Sequence, residues 1–395
     1  MLKTTPFHPR TAALCASHAW RRWAGCVVAS SYELSHEHEY HAIRSAAALL
    51  DISPLYKYLV RGKDAARLLD RVVTRDLARA AVGQVLYTPW CDAAGKVLDD
   101  GTIARLDEHT WRMTSADPNL RWLEDNAAGL DARVEDVSER VAALALQGPA
   151  SRAILQELAD GTLDGLKYFR LAPCRLRGIP VTVSRTGYTG DLGFEIWLEA
   201  QDALPLWDAL VEAGARHGIT PAGMLALDVA RLEAGLMLID VDYVPARKAL
   251  VGSQTSSPYE LGLGWTVRLE KETFVGRVAL AAEARRDPQW RFTGLELGWD
   301  SLERLYAEAG LAPRLPGAAW RSSVPVYAGS EQAGYATSGG WSPQLKRYIA
   351  LAHLRMPWAA AGTRLEMELT VEHRRRRCAA RAVQRPFFDP PRKRA

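Results

Sequence analysis

The stretch Arg185-Thr-Gly-Tyr-Thr-Gly-Asp-Leu-Gly-Phe-Glu-Ile-Trp-Leu198 decides how this chain is read. Its glycines, 187, 190 and 193, lie between two runs that alternate apolar and polar residues. Ahead of them, Ile179-Pro-Val-Thr-Val-Ser sets Val181 and Val183 on one face. Behind them, Phe194, Ile196 and Leu198 share a face, and Glu195, Trp197 and Glu199 share the other. The pattern predicts strand, glycine-rich turn, strand. Strand side chains alternate, so Glu195 points away from the face that Phe194 and Ile196 bury. A carboxylate beside Tyr188 and a glycine-lined turn is equipped to receive a small polar ring. The glycines recur every third residue and a strand follows, so this is not the G-x-G-x-x-G turn that opens a dinucleotide-binding helix. A plain hairpin loop whose glycines only supply positive φ accounts for the same residues.

Outward from this stretch, the bulk properties bound the answer. A chain of 395 residues predicts two to three domains. Apolar content of 48% and charged content of 24% are the mix of a soluble globular protein. The net charge of +4 is too small a surplus to argue for nucleic acid, although it suits an anionic ligand locally. No apolar run approaches eighteen residues and no signal-peptide layout is present, so a cytoplasmic protein without a membrane partner is expected. The cysteines, at 15, 26, 91, 174 and 378, are odd in number, scattered and without a C-x-x-C. They point to neither a disulfide frame nor a zinc site. A helix is predicted from Ser35 to Leu50. His36 and His38 point roughly opposite ways on it, only His38 and His41 are neighbours, and no H-E-x-x-H occurs; a solvated helix face is expected, and no metal.

Further helices are predicted over 64–73, 121–127, 150–158, 202–217 and 224–238, and strands over 84–90, 96–104 and 110–114 around the turn Asp92-Ala-Ala-Gly. This is an α+β pattern built from antiparallel hairpins. Leu261-Gly-Leu-Gly-Trp-Thr-Val reads as the start of another strand. Beyond a charged linker, Glu283 to Gln289, short strand-like runs at 292–297, 324–327, 332–338, 348–354 and 364–371 predict a small all-β barrel or sandwich. The basic runs at 374–377 and at the end of the chain read as a solvated strand or a frayed end. Of the neighbouring acids Asp99 and Asp100, only one can enter a given pocket, because adjacent strand residues face opposite ways. Alternation does not choose between them, and both could be wet at a sheet edge. Asp228 and Arg231, three apart on a helix, could pair with each other. Gly235 leaves room for something flat.

Several separate stretches then come together. Arg185-Thr-Gly-Tyr-Thr-Gly-Asp-Leu-Gly-Phe-Glu-Ile is similar to R-T-G-Y-T-G-E-x-G-[YF]-E-I, and Asp228-Val-Ala-Arg-Leu-Glu-Ala-Gly to D-x-L-R-L-E-A-G. Ser257-Pro-Tyr-Glu-Leu-Gly-Leu-Gly-Trp-Thr-Val is similar to T-P-x-E-A-G-L-x-W-T-V, and Gly334-Tyr-Ala-Thr-Ser-Gly-Gly-Trp-Ser-Pro-Gln-Leu to G-x-V-T-S-G-x-x-S-P-x-L. With Gly95-Lys-Val-Leu-Asp-Asp and Pro386-Phe-Phe-Asp, the chain from about Thr5 to Asp389 resembles the glycine-cleavage T-protein family, the folate-dependent aminomethyltransferases.

That resemblance implies an α+β fold of two intertwined antiparallel-sheet domains plus a C-terminal β-barrel. The first region would span residues 1–286, as roughly 1–50 with 140–286 and 51–139, followed by the barrel at 290–389 and a basic tail at 390–395. It implies tetrahydrofolate in a central hole, with Glu195 accepting from the pterin's amide-and-amine edge and Arg231 donating to its acceptor side. Leu55, Tyr87, Tyr188 and Trp265 would be the walls, and Asp100 the acid near the reacting nitrogens, where it would be catalytic. The implied activity is one-carbon transfer from a small-molecule donor or a lipoylated carrier protein. Relatives of the fold that demethylate O-, S- or N-methyl compounds are the alternative. A folate-binding maintenance protein is disfavoured, because its K-G-C-Y-x-G-Q-E signature is absent. Departures from the family pattern cluster on the substrate side. S-H-M-G is here Ser53-Pro54-Leu55-Tyr56, and L-Y-G-x-D-[IL]-D-E is Leu238-Ile-Asp-Val-Asp-Tyr-Val-Pro, followed by an insert with Arg247 and Lys248. V-N-A-x-N is Thr114-Ser-Ala-Asp-Pro.

Overall fold

The computed structural model describes residues 2–395. The signature hairpin forms as its alternation dictates. Ile179–Ser184 and Gly193–Glu199 pair antiparallel, with Ser184 opposite Glu195. Val181, Val183, Phe194, Ile196 and Leu198 bury in one core with Leu49, Leu144 and Leu146. Trp197, on the opposite face, joins a second core with Leu50, Ala143, Ala145 and the helix residues Ala226 and Ala230.

The hairpin belongs to a six-stranded sheet ordered Leu171–Leu176, Ile179–Ser184, Gly193–Glu199, Val141–Gln147, Ala47–Asp51, Ile219–Pro221. A five-stranded antiparallel sheet is ordered Val85–Cys91, Val97–Arg105, Thr110–Ser115, Tyr56–Arg61, Arg133–Asp136. Its strands come from the chain between Ala47–Asp51 and Val141–Gln147, so the backbone leaves the first sheet, completes the second and returns. The two sheets are thereby interwoven. The last strands close a six-stranded barrel around Leu295, Val326, Ala352, Met367 and Cys378. The architecture is α+β with a C-terminal β-barrel. Among the described residues, no helix is long and apolar enough to cross a membrane.

Local expectations are corrected at several points. The helix from Glu37 stops at Ser45, and Ala47–Asp51 is a strand. Leu49 faces one core and Leu50 the other, so an apolar run that mimicked a helix stripe is a strand buried on both sides. The helix from Met224 ends at Glu233 rather than Leu238. Gly235 turns the chain at φ +64°, and a Cβ there would meet Arg385 and Pro386. Its open space therefore receives the C-terminal segment, not a flat ligand. Residues 264–266 form a single 3-10 turn instead of a strand. An unpredicted helix, Trp299–Ala307, packs Leu302 and Leu305 on the barrel. Arg374–Val383 is a barrel strand, with Cys378, Ala380 and Ala382 inward and its arginines mostly in solvent. The tail is not frayed: Arg392 holds Asp191 of the signature loop at 2.6 and 2.8 Å.

Candidate active site

One face of the five-stranded sheet is polar, and strand register explains why. Tyr87 lies opposite Thr102, Thr102 opposite Thr114, and Thr114 opposite Lys57. Cross-strand partners point to the same side, as do residues two apart along a strand. Asp100 and Arg112 therefore share this face. The other face sends Tyr58, Leu86, Trp90, Ile103, Trp111 and Met113 into the core.

The same alternation separates the two acids. Asp99 is fully buried on the core side, where it accepts the N–H of Asp100 (2.8 Å), the N–H of Asp117 (3.1 Å) and Asn119 Nδ2 (2.9 Å). Burial, and then the charge of Asp100, push its carboxyl up to about 8, against the pull of those N–H donors. Asp100 is on the polar face, where its carboxylate accepts the hydroxyls of Tyr87 (2.7 Å) and Tyr243. Burial raises its pKa and the two phenols oppose the rise. Asp99 is thus tied to backbone N–H groups and Asn119, and Asp100 is held on the polar face by the two phenols.

Arg231 faces the same region from the helix Met224–Glu233. It is fully buried and donates through Nη1 to Asp242 (2.6 Å) and Ser338 (3.1 Å). Asp242 is fixed in turn by the barrel hydroxyls of Thr337 (2.5 Å) and Ser338 (2.7 Å) and by the N–H of Leu238 (2.8 Å). The remaining donors, Nε and Nη2 of Arg231, have no hydrogen-bond partner among the described residues. The pairing of Asp228 with Arg231 considered from their spacing is not made at hydrogen-bond distance. Their separation is 4.0 Å, and Asp228 instead binds Arg321 at 2.5 and 2.6 Å and Arg21 at 3.4 Å.

Tyr188 links these groups. Its hydroxyl donates to the Met237 carbonyl, and the charges of Arg231 and Asp100 both act on it. Leu55 packs against the same apolar cluster as Tyr188. The buried Lys57 ammonium holds the Leu55 loop by donating to the carbonyls of Ser53 and Leu55, each at 2.7 Å. Glu195 stands on the neighbouring sheet. Thr186 donates to its Oε2 at 2.7 Å, the Ser184 hydroxyl acts on the carboxylate more weakly, and no close hydrogen bond reaches Oε1 among the described residues. Burial raises its pKa, with Thr186 and then Arg112 opposing. Trp265 is 53% exposed, with Arg75 stacked over it at 5.1 Å. Arg75 also donates to the Tyr87 carbonyl at 3.3 Å, so Trp265 belongs to the rim of this region and not to a buried wall.

The glycines of the signature loop do something other than admit a ring. A Cβ on Gly187 or Gly193 would fall inside the Gln147 amide, and one on Gly190 would lie 2.5 Å from Ala234 Cβ. Gln147 accepts from Thr189 (2.8 Å) and donates to the carbonyls of Thr186 and Phe194 (3.3 Å each), bracing the loop from within. Of the three glycines only Gly190 has positive φ, +74°. The loop is thereby rigid, and it holds Thr186, Tyr188 and Glu195 in fixed relation.

Sequence reasoning missed Tyr243, Asp242 and Arg112. The first two lie in Leu238-Ile-Asp-Val-Asp-Tyr-Val-Pro, a stretch marked only as departing from a family pattern. The signal available was an Asp-Tyr pair following the arginine helix. Arg112 had a sharper signal, a charge in the middle of the strand Thr110–Ser115 with apolar neighbours on both sides. Taken together, the region offers an uncommitted carboxylate oxygen, unpartnered guanidinium donors and aromatic side chains. That set suits a flat heterocycle with a donor edge and an acceptor edge, oriented towards Asp100.

The GCVT N-terminal domain model matches residues 10–271, and the glycine cleavage T-protein C-terminal barrel domain model matches residues 309–389. An aminomethyltransferase of Geobacillus thermodenitrificans is 34% identical, covering 98% of this chain and 99% of its own length. One of Streptomyces avermitilis is 39% identical over 83% and 84%, and one of Symbiobacterium thermophilum 38% identical over 90% of each. Among solved structures, the glycine cleavage system aminomethyltransferase T from Bartonella henselae aligns over 98% of this chain and 99% of its own. Its TM-score is 0.82 at 25% identity.

Proposed function

The chain belongs to the glycine-cleavage T-protein family of one-carbon transferases, and on that premise we propose that it transfers an aminomethyl-derived carbon to tetrahydrofolate held between its interwoven sheets. The observation that carries the reading is the complementary set of unsatisfied groups. Among the described residues, Glu195 Oε1 accepts no close hydrogen bond, and Nε and Nη2 of Arg231 are buried donors without a partner. Buried polar groups are ordinarily satisfied, so such donors are explained by a ligand that completes them. A pterin ring fits, because its amide-and-amine edge presents two donors to one carboxylate and its remaining heteroatoms accept.

In this reading each residue has a defined task. Glu195, held by Thr186, fixes the donor edge. Arg231, held by Asp242, meets the acceptor side. Leu55, Tyr87 and Tyr188 supply apolar surface, and Trp265 covers the rim. Bound tetrahydrofolate supplies the nitrogens that take up the one-carbon unit. Asp100 is steadied by two phenols and keeps lone pairs free to hold an N–H at those nitrogens and to stabilise positive charge developing there. The donor is an aminomethyl group on a lipoylated carrier protein. One observation favours a second reading, demethylation of a small O-, S- or N-methyl compound: the phenol of Tyr243, from the stretch that departs from the family pattern, sits on Asp100.

Calorimetric titration with tetrahydrofolate tests the binding claim, and absence of binding to the wild-type chain would remove it. Turnover with aminomethylated lipoyl carrier protein, measured beside a panel of methyl donors, decides between the two readings. Activity with the carrier alone supports the first, and activity only with a methyl donor replaces it by the second.

A further inference from the structure

Arg112 is a buried arginine that makes no hydrogen bond among the described residues. It is 6% exposed, on the strand Thr110–Ser115, and faces the same way as Thr114 and Lys57. Its guanidinium lies over the Trp197 ring at 3.9 Å, and Trp197 is two residues from Glu195 on the same face of its strand. None of its nitrogens makes a hydrogen bond among the described residues, and its Nε is shut off from solvent. The contrast with Arg44 is direct. That equally buried arginine is saturated by Glu233, Asp191 and the carbonyls of Thr189 and Ala230. Glu195 is the anion that acts on Arg112, while the neighbouring Lys57 ammonium is committed to Ser53 and Leu55 and only repels it. Burial draws the guanidinium down to about 10, still charged at neutral pH. Stacking on indole does not satisfy N–H donors, and the Nε–H shut off from solvent has no acceptor to offset its burial.

We propose that Arg112 is a further ring-binding residue, its free N–H groups meeting the ring carbonyl oxygen that adjoins the amide edge accepted by Glu195. The two side chains then read a continuous acceptor–donor–donor edge, the cyclic acylguanidine of a pterin. The inference rests on the folate reading above and deepens it, because it names the part of the ligand recognised here. A buried arginine could instead serve the carboxylates of the ligand's glutamate tail, and the test separates ring from tail.

Binding of tetrahydropterin, the bare ring, and of p-aminobenzoylglutamate, the tail alone, is measured for wild type, Arg112→Met and Arg112→Lys, with the thermal midpoint of each ligand-free protein. Methionine keeps the packing on Trp197 and removes charge and donors. The expected result is a loss of tetrahydropterin affinity of about tenfold to a hundredfold in Arg112→Met. A smaller loss is expected in Arg112→Lys, which keeps the charge without the fork. Tail binding should be unchanged, and the ligand-free midpoint equal to or above wild type. Unchanged tetrahydropterin affinity in Arg112→Met, a loss confined to the tail fragment, or a lowered midpoint or failure to fold overturns the proposal and makes Arg112 a tail or structural residue. Wild type that binds neither tetrahydropterin nor tetrahydrofolate overturns the folate reading itself, and this inference with it.

Discussion

Glu195 and Asp100, the two carboxylates of the proposed site, are held differently by their surroundings. Thr186 holds one oxygen of Glu195, and in the proposed complex truncation to alanine leaves two ligand donors unmatched. Glu195→Ala should lower tetrahydrofolate affinity by roughly 1–3 kcal/mol, about fivefold to 150-fold, read by calorimetry. Asp100→Asn preserves shape and one acceptor, so binding should survive while single-turnover rate falls by about a hundredfold or more. The pH dependence follows from Glu195 as well. Burial raises its pKa in the free protein, whereas a ligand donating two hydrogen bonds stabilises the charged form and lowers it. Binding therefore releases a proton between the two values. Affinity should rise with pH across that window, level off above the raised value, and fade at a higher pH than an ordinary carboxylate would give. An affinity flat from the ordinary carboxylate range to neutrality would remove Glu195 from the binding step.

The signature hairpin acts as an element because its loop is packed on both sides. Gln147 fills the space left by Gly187 and Gly193, and the arginine helix approaches Gly190 through Ala234. Gly190→Ala combines a left-handed φ of +74° with a Cβ 2.5 Å from Ala234 Cβ. Gly129 has a similar φ of +76° with nothing nearby, so Gly129→Ala carries the backbone term alone, about 1–2 kcal/mol. Gly190→Ala should cost more than that control in denaturant unfolding and should also weaken folate binding. Equal cost in the two variants would mean that the loop gives way locally and does not brace the site. Two sequence expectations fail at this same scale for one reason. The helices predicted to Leu50 and Leu238 end early because tertiary neighbours on both faces, and then the C-terminal segment, replace the helical stripe.

At the scale of the whole molecule, buried ion pairs tie the sheets to the barrel. Asp242 joins Arg231 of the arginine helix to Thr337 and Ser338 of the barrel, and its carbonyl meets His353 Nε2 at 2.6 Å. Glu233 similarly gathers Arg44, Tyr40 and Ser342, while its carbonyl accepts the N–H groups of Phe387 and Phe388. The barrel is therefore part of the proposed site's construction, because it fixes the carboxylate that holds Arg231. Asp242→Ala leaves a fully buried guanidinium without its anion and should destabilise the chain by about 3–5 kcal/mol in chemical unfolding. It should weaken folate binding at the same time. A variant that unfolds like wild type would show that Arg231 finds another partner and that the barrel is dispensable to the site.

Local signals in the chain were enough for the hairpin, the α+β pattern and a C-terminal run of short strands, because strand alternation and turn residues are local and repeat over several residues; that those strands close as a barrel and not a sandwich was decided by their pairing. Alternation also allowed at most one of Asp99 and Asp100 into any one pocket, since adjacent strand positions must diverge. Register against Tyr87 and Trp90 then put Asp99 on the core side and Asp100 on the polar face with the two phenols, and pairing partners are set by distant parts of the chain. The same holds for Tyr243 on Asp100, Asp242 on Arg231 and the unpartnered Arg112 beside Glu195. Each is a contact between residues far apart in sequence, decided by how the two interwoven sheets and the barrel close on one another. Composition and periodicity carry no term for that closure.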